Sequence, residues 1–134
     1  MVEDILKTGS DVHCMRDATR GGLGAILAEI SEQSQCRITI EEGDIPIKDE
    51  VRGICEILGL DPLYIANEGK MVVICARDNA DAVLSTMMSN EFGKQAAVIG
   101  RVGDKGNGRL VMNTIIGGSR QVDLPSGELV PRIC

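Results

Sequence analysis

The chain has 134 residues, 14 of them basic and 20 acidic, with a net charge of -6. This length predicts one domain, which buries roughly two thirds of its unfolded surface. The negative charge, without any Lys/Arg cluster, argues against nucleic acid as a partner, and no apolar run approaches the roughly 20 residues of a membrane span. The first residues, Met1 to Lys7, lack the basic start followed by an apolar stretch that is typical of a secretory signal peptide. The five cysteines are odd in number and far apart, which excludes an even disulfide framework and favours the cytoplasm.

The first half of the chain predicts helices around one strand. Val2–Lys7 is a short amphipathic opening, and residues 13–20 are polar and irregular in pattern. Apolar residues at helical spacing follow Gly21 and Gly22, which predicts a loop that leads into a helix. Residues 36–42 alternate as a strand does, and residues 48–58 predict a second helix that ends at Gly59 and has apolar residues on one face.

The second half predicts strands with one helix. Met71–Cys75 is a continuous apolar run, which predicts a buried central strand, and Asp78 is the expected N-cap of the helix that follows. Residues 95–102 and 109–114 predict paired strands joined by a glycine-rich turn, and residues 119–123 a third strand. This order of elements predicts an α+β fold with a mixed β-sheet and helices packed on it.

The first candidate site is the segment MRDATRGG at residues 15–22. A glycine-rich turn at the start of a helix exposes backbone N–H groups at the positive end of the helix dipole, and Arg16 and Arg20 suit phosphate oxygens. The residues alone leave an alternative open, in which Asp17 or Thr19 caps the helix and the arginines make surface ion pairs.

The second candidate site is the polar loop ANEGK at residues 66–70, immediately before the most apolar strand. Glu68, at the mouth of a strand, could be shielded enough to act as a base. The alternative is an ordinary turn. No metal site is predicted, because the adjacent His13 and Cys14 would face opposite sides of a strand.

The third candidate site is the thiol of Cys134, in the closing sequence PRIC. Pro125, Gly127 and Pro131 break regular structure, so we expect residues 124–134 to form an extended, mobile tail after a domain of residues 1–123. A thiol at the end of such a tail would be exposed and movable. The alternative is an accidental terminal cysteine.

Residues 15–22, 67–70 and 131–134, in this order, resemble the C-terminal domain of the HypE family of hydrogenase maturation proteins, which is related to the PurM (AIR synthetase) superfamily. The resemblance covers essentially the whole chain. Its most specific element is the terminal tetrapeptide, because the wider superfamily shares the glycine-rich loop but lacks the cysteine tail. The fold that it implies is that of the PurM C-terminal domain.

The function that this resemblance implies is an ATP-dependent carbamoyl dehydratase. HypF would load a carbamoyl group onto Cys134, dehydration would leave a thiocyanate, and the cyanide would pass to iron held by HypC and HypD as a ligand of the [NiFe]-hydrogenase site. By similarity Glu68 would position or deprotonate the group. By the same similarity, the glycine-rich loop before the first long helix would lie near the phosphate of the nucleotide and have a supporting role there. Its residues are Asp17, Thr19, Arg20, Gly21 and Gly22.

The resemblance also implies ATP and Mg²⁺ as cofactors, bound mostly by an N-terminal half that the printed sequence does not contain, and a homodimer when full length. We therefore expect the chain alone to bind ATP weakly and to be inactive. An alternative of a different class is a noncatalytic module whose tail docks a partner and whose loop binds an anion. A superfamily member acting on a different amide is disfavoured by the cysteine tail.

Overall fold

A computed structural model describes residues 1–124. The chain divides into two compact units. Unit 1 contains Met1–Arg16 and Met71–Val98, and unit 2 contains Asp17–Lys70 and the described residues from Ile99 onward. The helices and strands, in chain order, are α1 (Val2–Lys7), β1 (Val12–Asp17), α2 (Gly22–Ser34), β2 (Cys36–Glu41), α3 (Asp49–Leu58), β3 (Met71–Cys75), α4 (Ala80–Ser89), β4 (Gly100–Lys105), β5 (Leu110–Asn113) and β6 (Ser119–Val122).

Unit 1 pairs β1 with β3 in a two-stranded sheet, and α1 packs against α4. Residues 71–75 form the predicted strand, β3, but the prediction that this strand is buried and central is wrong. All five of its residues are half-buried, and it pairs only with β1 in its sheet. The predicted cap at Asp78 is also wrong. Asn79 is the N-cap of α4, and its Oδ1 accepts a hydrogen bond from the Asp11 backbone N–H at 2.9 Å.

Unit 2 is built on a four-stranded mixed sheet in the order β4-β2-β5-β6. Strand β2 is antiparallel to β4 and parallel to β5, and β6 is antiparallel to β5. The expected hairpin between residues 95–102 and 109–114 is therefore wrong, because β2 lies between these two strands. The predicted third strand is confirmed as β6.

The core of unit 2 contains mainly aliphatic side chains. On β2, Ile38 and Ile40 are 3% and 1% exposed and align with Leu110 and Met112 of β5. Helix α2 covers these two strands. Burial of this apolar surface holds the sheet and α2 together, and so fixes where the residues just before α2 lie.

The apolar face predicted for residues 48–58 forms a helix, α3, but most of that face is exposed. The helix ends as predicted at Gly59, whose φ of 66° suits a residue without a side chain. Cys55 is buried, whereas Ile54 and Leu58 are 58% and 62% exposed. The helical spacing of the apolar residues thus predicts correctly that they share one face of α3, but it does not predict that most of this face is exposed.

The helices of residues 1–124 include none that is long and apolar enough to cross a membrane.

Candidate functional site

The two predicted loops of unit 2 are hydrogen-bonded to each other. The Ala18 N–H donates to the carbonyl oxygen of Lys70 at 3.1 Å, and the Asn67 N–H donates to the carbonyl oxygen of Thr19 at 3.1 Å. Two segments that lie about 50 residues apart in sequence therefore form one structure, since each end of the 67–70 turn is bonded to the loop before α2.

Glu68 lies at the tip of this turn. Gly69 follows it with a φ of 75°, a conformation that favours glycine and allows the tight reversal. The Glu68 side chain is exposed, as are those of Asp17 and Arg20, whereas Thr19 is half-buried. The backbone of the turn is thus held by hydrogen bonds, while the Glu68 carboxylate is exposed to solvent.

The first turn of α2 carries no side-chain cap. The N-cap residue is Gly21, in the left-handed conformation with φ 69°, and it makes no side-chain cap hydrogen bond. The alternative in which Asp17 or Thr19 caps the helix is therefore wrong. Backbone N–H groups at this helix start keep the orientation that favours an anion.

Gly22 and Gly24 let α2 approach residues 62–65, a role that their sequence pattern does not indicate. A Cβ atom built on Gly22 would lie 2.5 Å from the Leu63 carbonyl oxygen and 2.6 Å from that of Ile65. One on Gly24 would lie 2.9 Å from Cε1 of Tyr64. These glycines bring the start of α2 against the segment that leads directly into the Glu68 turn.

Residues 61–65 are the part of the site that sequence reasoning missed. Asp61 caps a short 3₁₀ turn, Pro62–Tyr64, because its Oδ1 accepts a hydrogen bond from the Leu63 N–H at 3.0 Å. The signal for this turn is the Asp-Pro pair, since an Asp at the N-cap followed by Pro at the first position favours a helical turn. The 3₁₀ turn directs the chain from α3 toward α2.

Tyr64 joins this segment to the end of the described chain. Its phenol donates a hydrogen bond to the Asp123 carbonyl oxygen at 2.7 Å. Partial burial, followed by the negative charge of Asp61, raises the pKa of the Tyr64 phenol above its ordinary value of 10.0. Arg120, on β6, forms an ion pair with Asp61.

The third predicted site, Cys134, lies outside the described residues. Of the other cysteines, Cys55 is buried and Cys14, Cys36 and Cys75 are half-buried, all as free thiols. Among these four cysteines, Cys55 alone is a core residue. Nowhere in residues 1–124 do three His, Cys, Asp or Glu side chains group as they would around a metal ion.

Residues 1–113 match the family described as "AIR synthase related protein, C-terminal domain". The chain belongs to this family. The AIR synthase related C-terminal domain accounts for all of unit 1 and for unit 2 as far as β5.

Curated relatives of this AIR synthase related domain are 45% identical in Azotobacter vinelandii and 47% identical in Cupriavidus necator, in each case over 134 residues. Both are named "Carbamoyl dehydratase HypE". The alignments cover 100% of this chain but 39% and 38% of the relatives, so the chain spans about two fifths of their length. The predicted resemblance is confirmed.

Solved structures agree with the fold of this AIR synthase related domain. A crystal structure of hydrogenase maturation protein HypE is 42% identical with a TM-score of 0.92, and covers 99% of this chain and 43% of that one. A crystal structure of HypE in complex with ATP is 41% identical with a TM-score of 0.89, and the match covers 99% of this chain and 41% of that one. A HypE-HypF complex is 44% identical with a TM-score of 0.86, and the match covers 92% of this chain and 40% of that one. The predicted α+β fold is confirmed.

Proposed function

We propose that this chain is the C-terminal domain of a HypE-type carbamoyl dehydratase and that Cys134 carries the reacting group. The observation that carries the proposal is the end-to-end alignment with carbamoyl dehydratases, which includes residues 131–134. The bonded pair of loops supports it, because it provides an exposed carboxylate beside a helix start that suits phosphate.

The proposed reaction removes the elements of water from a carbamoyl group on the Cys134 sulfur. ATP supplies the phosphoryl group, which the carbamoyl oxygen accepts as ADP leaves. The nitrogen loses both protons, a C≡N bond forms, and the C–O bond breaks as phosphate departs with the oxygen. The products are a thiocyanate on sulfur, ADP, phosphate and a proton. An amide oxygen is a poor leaving group, and phosphate is a good one.

Three parts of this chain have separate roles in the proposed reaction. The Cys134 sulfur is the covalent handle for the carbon. Glu68, exposed at the tip of a turn whose ends are bonded to Ala18 and Thr19, takes a proton from the nitrogen or orients it. The loop residues Asp17, Thr19, Arg20, Gly21 and Gly22 adjoin the phosphate, where the start of α2 offers backbone N–H groups.

ATP and Mg²⁺ would be held mostly by the remainder of the protein. The start of α2 offers backbone N–H groups that suit a phosphate, and residues 1–124 contain no group of three His, Cys, Asp or Glu side chains that could hold a metal ion. We propose HypF as the carbamoyl donor and HypC-HypD as the acceptor of cyanide, with a homodimeric full-length enzyme. A thiol that must remain reduced suits the cytoplasm.

Mass spectrometry of the full-length protein with HypF, carbamoyl donor and ATP tests the proposal. We expect Cys134→Ala to yield no thiocyanate adduct, and we expect Glu68→Gln to accumulate the carbamoyl adduct without dehydrating it. Asp104→Asn, an exposed carboxylate on β4, is the matched control and should behave as wild type. A thiocyanate on the Cys134→Ala protein would refute the assignment of the thiol.

Alkylation of the thiol separates this proposal from a noncatalytic module. An interaction module would keep its partner binding and its downstream activity after the thiol is blocked. A carbamoyl carrier would lose all adduct formation, because the sulfur is then no longer a nucleophile.

A further inference from the structure

Helix α3 has an apolar face that residues 1–124 leave open to solvent. At about 3.6 residues per turn, four aliphatic side chains fall on one side of this ten-residue helix. They are Val51, Ile54, Ile57 and Leu58, with exposed fractions of 40%, 58%, 86% and 62%. Single exposed apolar side chains are ordinary on a protein surface, whereas a contiguous group of them is typical of an interaction site.

This helix lies in the neighbourhood of the candidate site. Helix α3 packs against the 3₁₀ turn Pro62–Tyr64, and that turn packs against α2. The Leu60 N–H donates to the Cys55 carbonyl oxygen at 2.9 Å, so the chain passes directly from the end of α3 into the segment that leads to the Glu68 turn. A body that brings a nucleotide to the start of α2 therefore comes close to α3.

The length of the relatives identifies such a body. The alignments cover 39% and 38% of the two carbamoyl dehydratases, so about three fifths of each relative lies outside the match. Under the proposed function, this remainder of the protein holds ATP and presents its phosphate to the start of α2. A body on the same polypeptide is also present at an effective concentration of roughly millimolar, which favours it over a separate partner.

A second copy of this chain fits the face poorly. Glu50 is exposed, and at helical spacing it falls on the same side of α3 as Ile54 and Ile57. A symmetric contact through this face would bring both Glu50 carboxylates into an apolar interface between chains that each have a net charge of -6. The remainder of the protein is free of this symmetry and can offer a Lys or Arg to Glu50.

We propose that the apolar face of α3 is the surface on which the remainder of the full-length protein docks. The identity of that remainder as the nucleotide-binding part rests on the proposed function. Burial of the four aliphatic side chains holds the two parts together. Because α3 is joined to the Glu68 turn through residues 61–65, this contact also sets the distance between the bound nucleotide and Glu68.

The test measures alkylation of single cysteines introduced into the full-length protein, without ATP or substrate. Ile54→Cys and Ile57→Cys place a thiol on the apolar face. Glu56→Cys is the matched control, because Glu56 is exposed on the opposite side of the same helix. Iodoacetamide modification is followed by peptide mass mapping, and each rate is divided by that of the same variant in urea. We expect the two face thiols to react at least about 10-fold more slowly than the control, as buried groups do.

A photo-activated cross-link identifies what covers the face. With a benzophenone amino acid in place of Ile57, we expect the cross-linked peptide to come from the full-length protein outside these 134 residues. Equal alkylation of Ile57→Cys, Ile54→Cys and Glu56→Cys would overturn the proposal. So would a cross-link to any part of this chain or of a second copy of it, or protection that requires added HypF.

Failure of the proposed function has a different signature. In that case the wild-type protein forms no thiocyanate, whereas the alkylation rates and the cross-link need no catalysis and still report whether α3 is covered.

Discussion

Gly22 offers the sharpest test of how the site is assembled. Its φ is +63°, and an alanine Cβ there would lie 2.5 Å from the Leu63 carbonyl oxygen. The left-handed conformation costs a residue with a side chain about 1–2 kcal/mol. Forcing the backbone of residues 63–65 away adds about 1–3 kcal/mol. Gly22→Ala should therefore destabilise the chain by about 2–5 kcal/mol, a large share of the roughly 5–15 kcal/mol that holds a domain folded.

Gly59→Ala is the matched control, because its φ of +66° is nearly the same and nothing lies within 4 Å of the added Cβ. Its free energy of unfolding should fall by about 1–2 kcal/mol, the cost of the left-handed conformation alone. Urea unfolding followed by circular dichroism measures both variants. If Gly22→Ala and Gly59→Ala lose equal stability, the close approach of α2 to residues 63–65 carries no energy and the reasoning fails. Faster amide exchange at Ala18 and Asn67 in Gly22→Ala alone would show the strain reaching the Glu68 turn.

Three further outcomes follow from burial and charge. Tyr64 is the only tyrosine and Trp is absent, so ultraviolet titration of the tyrosinate should give a midpoint above the usual 10.0, and Asp61→Asn should lower it. Between the unfolded and folded pKa values only the unfolded chain has lost this proton, so stability should fall as pH rises through that window, and a midpoint at or below 10.0 would contradict this. Burial and then the charge of Asp11 raise the pKa of the Cys75 thiol, so iodoacetamide should modify Cys75 more slowly in the folded than in the urea-unfolded chain, as peptide mass mapping measures. Ile40→Ala should cost about 2–5 kcal/mol in urea unfolding, whereas Ile57→Ala, at a residue 86% exposed, should change stability by less than about 0.5 kcal/mol.

The sequence predicts correctly those helices and strands whose signals lie within a few residues of the element itself. The apolar spacing of α2, the alternation of β2 and the glycine that ends α3 all lie within a few residues of what they specify, and the structure contains each of them. Strand β1 was missed because Val12–Asp17 is polar and has no regular alternation of buried residues. It is a strand through its pairing with β3, which lies more than 50 residues later.

Strand pairing was mispredicted where a local turn competed with a distant partner. The glycine-rich segment between β4 and β5 favours a hairpin, yet both strands pair with β2. Because Ile38 and Ile40 are almost fully buried, β2 belongs at the centre of the sheet, where its backbone groups find partners on both sides. A parallel neighbour such as β5 requires a long crossover, and no short-range signal encodes one.

The predicted site shows the same division between local and distant information. Motifs identified Glu68 and the loop from Asp17 to Gly22 because their residue types imply chemistry. They did not identify Tyr64, since a single tyrosine in a short turn has no motif, and its importance arises from Asp123, which is 59 residues away. Gly22 was predicted to adjoin phosphate, and Gly24 was given no role, although both glycines allow α2 to approach the segment that leads into the Glu68 turn. A substitution that fills this contact should thus disturb the loop before α2 and the Glu68 turn together, so two candidate sites that the sequence presents as separate loops are structurally linked.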